Sequence, residues 1–240
     1  MVDCEMCVNY EDSSYCEECE HYDRELYDHY EEATAEEIAQ RKKEARLQAE
    51  KEAINEWIPI EVSDQFYKAF NLVKSFAAKE HFNKVFLGVY ISPNSLIASD
   101  THQIIEIFCD FIPEELINKC VVRLEKNQAG IHTKGKFPSW QQIFAIRDEY
   151  QKATLREIQF YPPVITDNEV RYYKNFNIVP ETMAYMGFTT LFQKEYLNAM
   201  KDVLEGNIIV HYVPGNTLSP VMFIGDNARM VITPLIRRAN

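Results

Sequence analysis

Leu191-Phe192-Gln193-Lys194-Glu195-Tyr196-Leu197-Asn198-Ala199-Met200-Lys201-Asp202-Val203-Leu204 is the stretch on which the fold turns. Its apolar residues recur at helical spacing, which predicts one amphipathic helix over 191–204. Three short apolar runs follow, at 207–213, 220–224 and 230–236. Gly206, Pro214-Gly215-Asn216 and Gly225-Asp226-Asn227 separate them. These are turn residues: glycine accepts positive φ, proline fixes φ, and asparagine bonds its own backbone. A helix and then a three-stranded antiparallel meander result, with the last run a structural strand.

Upstream, the same order of helix and then strands recurs. Residues 63–79 predict an amphipathic helix with Phe66, Phe70, Val73 and Ala77 on one face. A strand is expected just before it, at 59–62. Strands are expected at 84–91, 95–99 and 103–108, and a hairpin at 120–125 and 129–133. Pro113 opens a short helix over 113–119. Residues 136–143 read as an irregular aromatic segment, and 153–180 as a weakly alternating stretch broken by Pro162-Pro163. The fold class is α+β, with helices packed on one face of antiparallel sheets.

Charge divides the chain differently. Residues 1–33 hold twelve acidic residues and one basic, Arg24, a net of −11 within a whole-chain −12. The other 207 residues therefore carry only −1, so the body's charge neither attracts nor excludes nucleic acid strongly. Cys4, Cys7, Cys16 and Cys19 form C-x2-C-x8-C-x2-C in that acidic segment. Two such pairs present four thiolates to one tetrahedral Zn2+, and structural zinc would be the segment's main source of folding free energy. Two disulfides are the alternative in an oxidised protein. The start, Met1-Val2-Asp3-Cys4, has no signal-peptide pattern, which favours zinc and a cytoplasmic location. Cys109 and Cys120 sit in apolar surroundings and read as inert core thiols. Thr34 and Glu37 match a capping box at the head of a charged helix over 34–56. The organisation is thus an acidic four-cysteine knuckle at 1–33, a helical spacer at 34–57 and a body at 58–240. No apolar run approaches the ~20 residues of a membrane span.

Three segments of the body resemble the bacterial DNA polymerase sliding clamp, the beta subunit. Ser95-Leu-Ile-Ala-Ser99-Asp100-Thr101-His102-Gln103-Ile104 is similar to the clamp's L-x-x-x-A-T-D-G-H-R-L. Lys136-Phe137-Pro138-Ser139-Trp140-Gln141-Gln142-Ile143 is similar to its G-x-F-P-D-Y-x-x-V. Phe192-Gln193-Lys194-Glu195-Tyr196-Leu197-Asn198-Ala199-Met200-Lys201 is similar to the F-N-x-x-Y-L helix of the last clamp domain. Ser219-Pro220-Val221 and Val231-Ile232-Thr233-Pro234-Leu235 follow it at matching distance. Thr101 stands where the family has glycine, and Gln103 where it has arginine. The resemblance implies clamp-like domains at 58–144 and, shortened, at 145–240. Such a compact clamp is of the kind expected from a phage or mobile element.

The resemblance also implies function. A clamp is a non-enzymatic processivity factor: a homo-oligomeric ring that encircles duplex DNA without sequence preference and tethers polymerase and other replication proteins. The lysines offered to phosphate are Lys68, Lys74 and Lys79, with Lys194 and Lys201. As single residues they are also ordinary solvated lysines. The partner-peptide cleft would hold Ser99, Thr101, His102 and Ile104 on one side. Val231, Thr233, Pro234 and Leu235 would form the other. Ile104, Val231 and Leu235 are equally core candidates. No catalytic residue is assigned: the six histidines are scattered, and Asp100 with His102 lacks a nucleophile. The alternative function is an adaptor or inhibitor that keeps the clamp fold and binds a replication or transcription protein through the acidic zinc arm.

Overall fold

The computed structural model describes residues 34–175 and 178–236. The knuckle expected at Cys4, Cys7, Cys16 and Cys19 lies outside the described residues. The chain divides into two compact units, Met1–Lys51 and Glu52–Asn240. Helix α1 (Ala35–Ala53) opens on the expected capping box. The Thr34 N–H and Oγ1 donate to Glu37 Oε2 at 2.7 and 2.9 Å, and the Glu37 N–H donates to Thr34 Oγ1 at 3.2 Å. These bonds satisfy amide donors that a helix start leaves open.

The second unit is built on a ten-stranded sheet. In chain order its strands are β1 (Glu56–Pro59), β2 (Val89–Ser92), β3 (Ser95–Ser99), β4 (Gln103–Phe108), β5 (Cys120–Leu124) and β6 (Gln128–His132). After these come β7 (Gln151–Thr154), β11 (Ile209–Tyr212), β12 (Val221–Ile224) and β13 (Ala228–Ile232). Across the sheet they run β1-β6-β5-β2-β3-β4-β13-β12-β11-β7, and every pairing is antiparallel. A second sheet contains β8 (Gln159–Tyr161), β9 (Pro180–Tyr185) and β10 (Phe188–Gln193). The two halves of the large sheet join where β4 meets β13.

Two helices cover one face of the large sheet. Helix α2 (Asp64–Lys74) lies against β2, β3 and β4. Its Phe66, Phe70 and Val73 are buried among Leu96, Ala98, Ile105 and Ile107. Short helices α3 (Trp140–Ile143) and α4 (Asp167–Asn175) come next in the chain. Helix α5 (Lys194–Val203) then lies against β10 and β13, burying Leu197, Met200 and Val203 in the same core. The architecture is α+β, antiparallel sheets with helices on one face.

Several boundaries differ from the sequence reading. The helix expected at 191–204 starts at Lys194, because Phe188–Gln193 is rich in aromatic and β-branched residues (Phe188, Thr189, Thr190 and Phe192) and pairs with β9 instead. The strand expected at 59–62 is Glu56–Pro59, an edge strand paired only with β6, where proline's missing N–H is tolerated. Helix α2 ends at Lys74 rather than 79; buried Phe76 and Ala77 continue in tighter turns whose amides donate to Val73 O and Lys74 O. Residues Lys84–Leu87 and Glu114–Leu116 are 3₁₀ turns. Gly206 punctuates as expected. Its φ is +78°, and a Cβ there would lie 1.9 Å from Asp226 Oδ2. No helix among the described residues is long and apolar enough to cross a membrane.

Candidate functional site at the strand seam

The β4–β13 seam gathers the resembling segments. Ile104 faces Val231 across it, and Glu106 faces Arg229. Just beyond the ladder, the Thr233 N–H donates to His102 O at 2.8 Å, and the Leu235 N–H donates to Leu191 O at 2.8 Å. The expected cleft residues are therefore neighbours. Thr101, His102 and Thr233 are exposed at the rim, whereas Ser99 and Pro234 are buried and Leu235 is half-buried.

The turn between β3 and β4 is held by its own side chains. Asp100 Oδ1 accepts the His102 and Gln103 amides, both at 2.9 Å, and Oδ2 accepts Gln103 Nε2 at 3.1 Å. Ser99 Oγ donates to Gln103 O at 2.7 Å and accepts the Thr101 amide at 3.0 Å. This network holds Thr101 at φ +79°, a region that favours glycine. On the helix side, Tyr196 of α5 stands against Asp100. Burial, then the Asp100 carboxylate, push its hydroxyl well above the ordinary tyrosine range.

On the face away from α2 and α5, Ile104 and Val231 form the floor of a small apolar cluster with Ile97, Met222 and Phe144. The segment 137–144 covers this floor. Its Phe137 and Trp140 pack on Tyr90, with ring centroids 5.3 and 4.9 Å apart. Under the strap, the buried Glu106 carboxylate accepts Arg229 Nε at 2.5 Å, Ser95 Oγ at 2.7 Å and Trp140 Nε1 at 3.3 Å. The Arg229 guanidinium lies 4.4 Å from the Phe144 ring centroid. The chain thus occupies with its own aromatics the floor expected to receive a partner peptide. Sequence reasoning missed this network. Its signal was a lone charge in each of two apolar strands, Glu106 in β4 and Arg229 in β13.

An open groove of about 460 Å³ lies further along the sheet, lined by Ile209, Ile224, His211, Lys152, Thr154 and Glu157. Burial, then the Lys152 charge, hold His211 below the ordinary histidine range. A second groove of about 350 Å³ holds Arg156, Phe160 and Lys201.

The lysines expected to meet phosphate are not equivalent. Lys74 is buried, and its Nζ donates to Leu87 O, so the structure removes it from the set. The reason is helical phase: six residues turn Lys74 by about 240° from exposed Lys68, off that face. Lys79 is exposed beyond the end of α2. Lys194 lies 3.3 Å from Glu181, and Lys201 sits 4.1 Å over the Phe160 ring. Cys109 and Cys120 are buried free thiols, and burial pushes Cys120 up to about 12. Among the described residues, no group of three or more His, Cys, Asp or Glu is placed to hold a metal ion.

Among solved structures, the chain is similar to bacterial sliding clamps. The DNA polymerase III beta subunit of Borrelia burgdorferi shares 12% identity over 77% of this chain and 65% of its own, with a TM-score of 0.48. The sliding clamp of Pseudomonas aeruginosa shares 10% over 77% and 67%, with a TM-score of 0.46. The Helicobacter pylori beta clamp, solved with a DNA ligase peptide, shares 8% over 75% and 65%, with a TM-score of 0.47. The chain spans about two thirds of the length of these clamps. No protein-family model and no curated protein matches the sequence.

Proposed function

We propose that this chain is a non-enzymatic processivity factor of the sliding-clamp type, which closes into a ring around duplex DNA and tethers replication proteins. One observation carries the reading. The three sequence segments that resemble clamps converge on one seam, through Asp100 with Tyr196, Ile104 with Val231, and Glu106 with Trp140. Under this reading Lys68, Lys79, Lys194 and Lys201 face phosphate, and partner peptides engage the rim of Thr101, His102 and Thr233. The knuckle of Cys4, Cys7, Cys16 and Cys19 holds structural Zn2+ and contacts protein, since its charge repels phosphate. Retention on linear duplex tests the proposal. A ring stays on DNA whose ends are blocked and is lost when one end is freed. Equal retention on both contradicts encirclement.

A second reading has its own support. On α2, exposed Asp64 offsets Lys68. On α5, Glu195 and Asp202 offset Lys194 and Lys201. The helix face thus offers little excess positive charge, which favours an adaptor that binds a replication or transcription protein through the acidic arm. An adaptor of this kind would not be retained by blocked ends.

A further inference from the structure

Two adjoining loops, one of which leads into the strap at Phe137, combine an exposed aromatic ring with several lysines. Residues 79–86 and 133–137 meet where a Cβ on Gly135 would lie 3.4 Å from Val85 Cγ1, and the Phe86 and Phe137 rings are 6.1 Å apart. Phe82 is 91% exposed. Its ring is nevertheless supported: it lies 4.4 Å from His81 at an interplanar angle of 31°, and His81 meets Phe86 edge-on at 4.8 Å. The Asn83 amide donates to His81 Nδ1 at 3.0 Å, and the Ala78 amide to Phe86 O at 2.9 Å, which fixes the loop. The same loops carry exposed Lys79, Lys134 and Lys136 and half-buried Lys84. Among the described residues, Glu80 follows Lys79 in the chain and Glu52 lies 3.8 Å from Lys84.

We infer that these loops bind single-stranded DNA, with an unstacked base on Phe82 and backbone phosphates on Lys134 and Lys136. Every base has a face that stacks on an aromatic ring, and lysines beside such a ring take the phosphates. A duplex hides its base faces, so the exposed ring selects single strands. Phe82, Lys134 and Lys136 are not among the lysines assigned to duplex phosphate, Lys79 alone being common to both sets, and only the choice of DNA over RNA rests on the clamp reading.

Fluorescence anisotropy of the full chain with a labelled oligo-dT of about sixteen nucleotides tests it. Phe82→Ala should weaken binding about tenfold and leave retention on end-blocked duplex unchanged. Replacing Lys134 and Lys136 by alanine should reduce the log–log salt slope by about 1.4. All three side chains are exposed, so neither variant removes core. Affinity and salt slope unchanged in both variants overturn the inference. So does binding of a synthetic peptide of residues 1–33 in place of the oligonucleotide, and tighter binding of oligo-rU overturns the choice of DNA. Oligomeric state is read separately: a monomer that binds oligo-dT through Phe82 sinks the ring and leaves this site standing.

Discussion

Thr101 holds a backbone conformation that its side chain disfavours. A non-glycine residue in the left-handed region costs on the order of 1–3 kcal/mol, and the Asp100 and Ser99 hydrogen bonds impose it here. Thr101→Gly should therefore raise stability by about 1 kcal/mol, read from the urea midpoint; an unchanged or lower midpoint contradicts the strain. Cys120 gives a pH dependence. Its thiol is pushed up to about 12 by burial, above its ordinary 9.0. The folded state then binds the proton more tightly than the unfolded chain. Stability is fully present below about pH 9 and falls as pH rises toward 12, by about 1.4 kcal/mol per unit. Cys120→Ala should flatten the alkaline limb of urea midpoints measured from pH 8 to 11. An unaltered slope means another group titrates.

Among elements, the strap and the seam depend on one buried carboxylate. Removing Arg229 leaves Glu106 buried with only neutral donors, Ser95 and Trp140. Arg229→Met should cost about 3 kcal/mol, because a buried charge loses its partner. Adding Glu106→Leu should recover most of that loss. A double variant as unstable as the two single losses added together would show that the pair is not coupled. Strands β3, β4, β5 and β6 were legible in the sequence because apolar runs and turn residues bound them on both sides. Residues 188–193 were not, because Leu191, Phe192, Leu197 and Met200 fit a helical stripe. Only pairing with β9 separates strand from helix at Lys194. That His102 adjoins Thr233 agrees with the motif order. The covering of the Ile104 and Val231 floor by Phe137, Trp140 and Phe144 was not legible: which sheet face an irregular segment lies on is a tertiary fact.

For the whole molecule, antiparallel sheets with helices on one face were readable from the alternation of helix and strand patterns. Lys74 was legible too: it stands four residues after Phe70 and beside Val73, so helical phase alone puts it next to the buried stripe and off the Lys68 face. The ring is the central claim, and the native mass of the zinc-loaded full chain tests it most directly, by light scattering over a range of concentrations. A closed oligomer of fixed mass is predicted, three copies of the 28.1-kDa chain if each supplies two domains of a six-domain ring. A monomer at every concentration would contradict it.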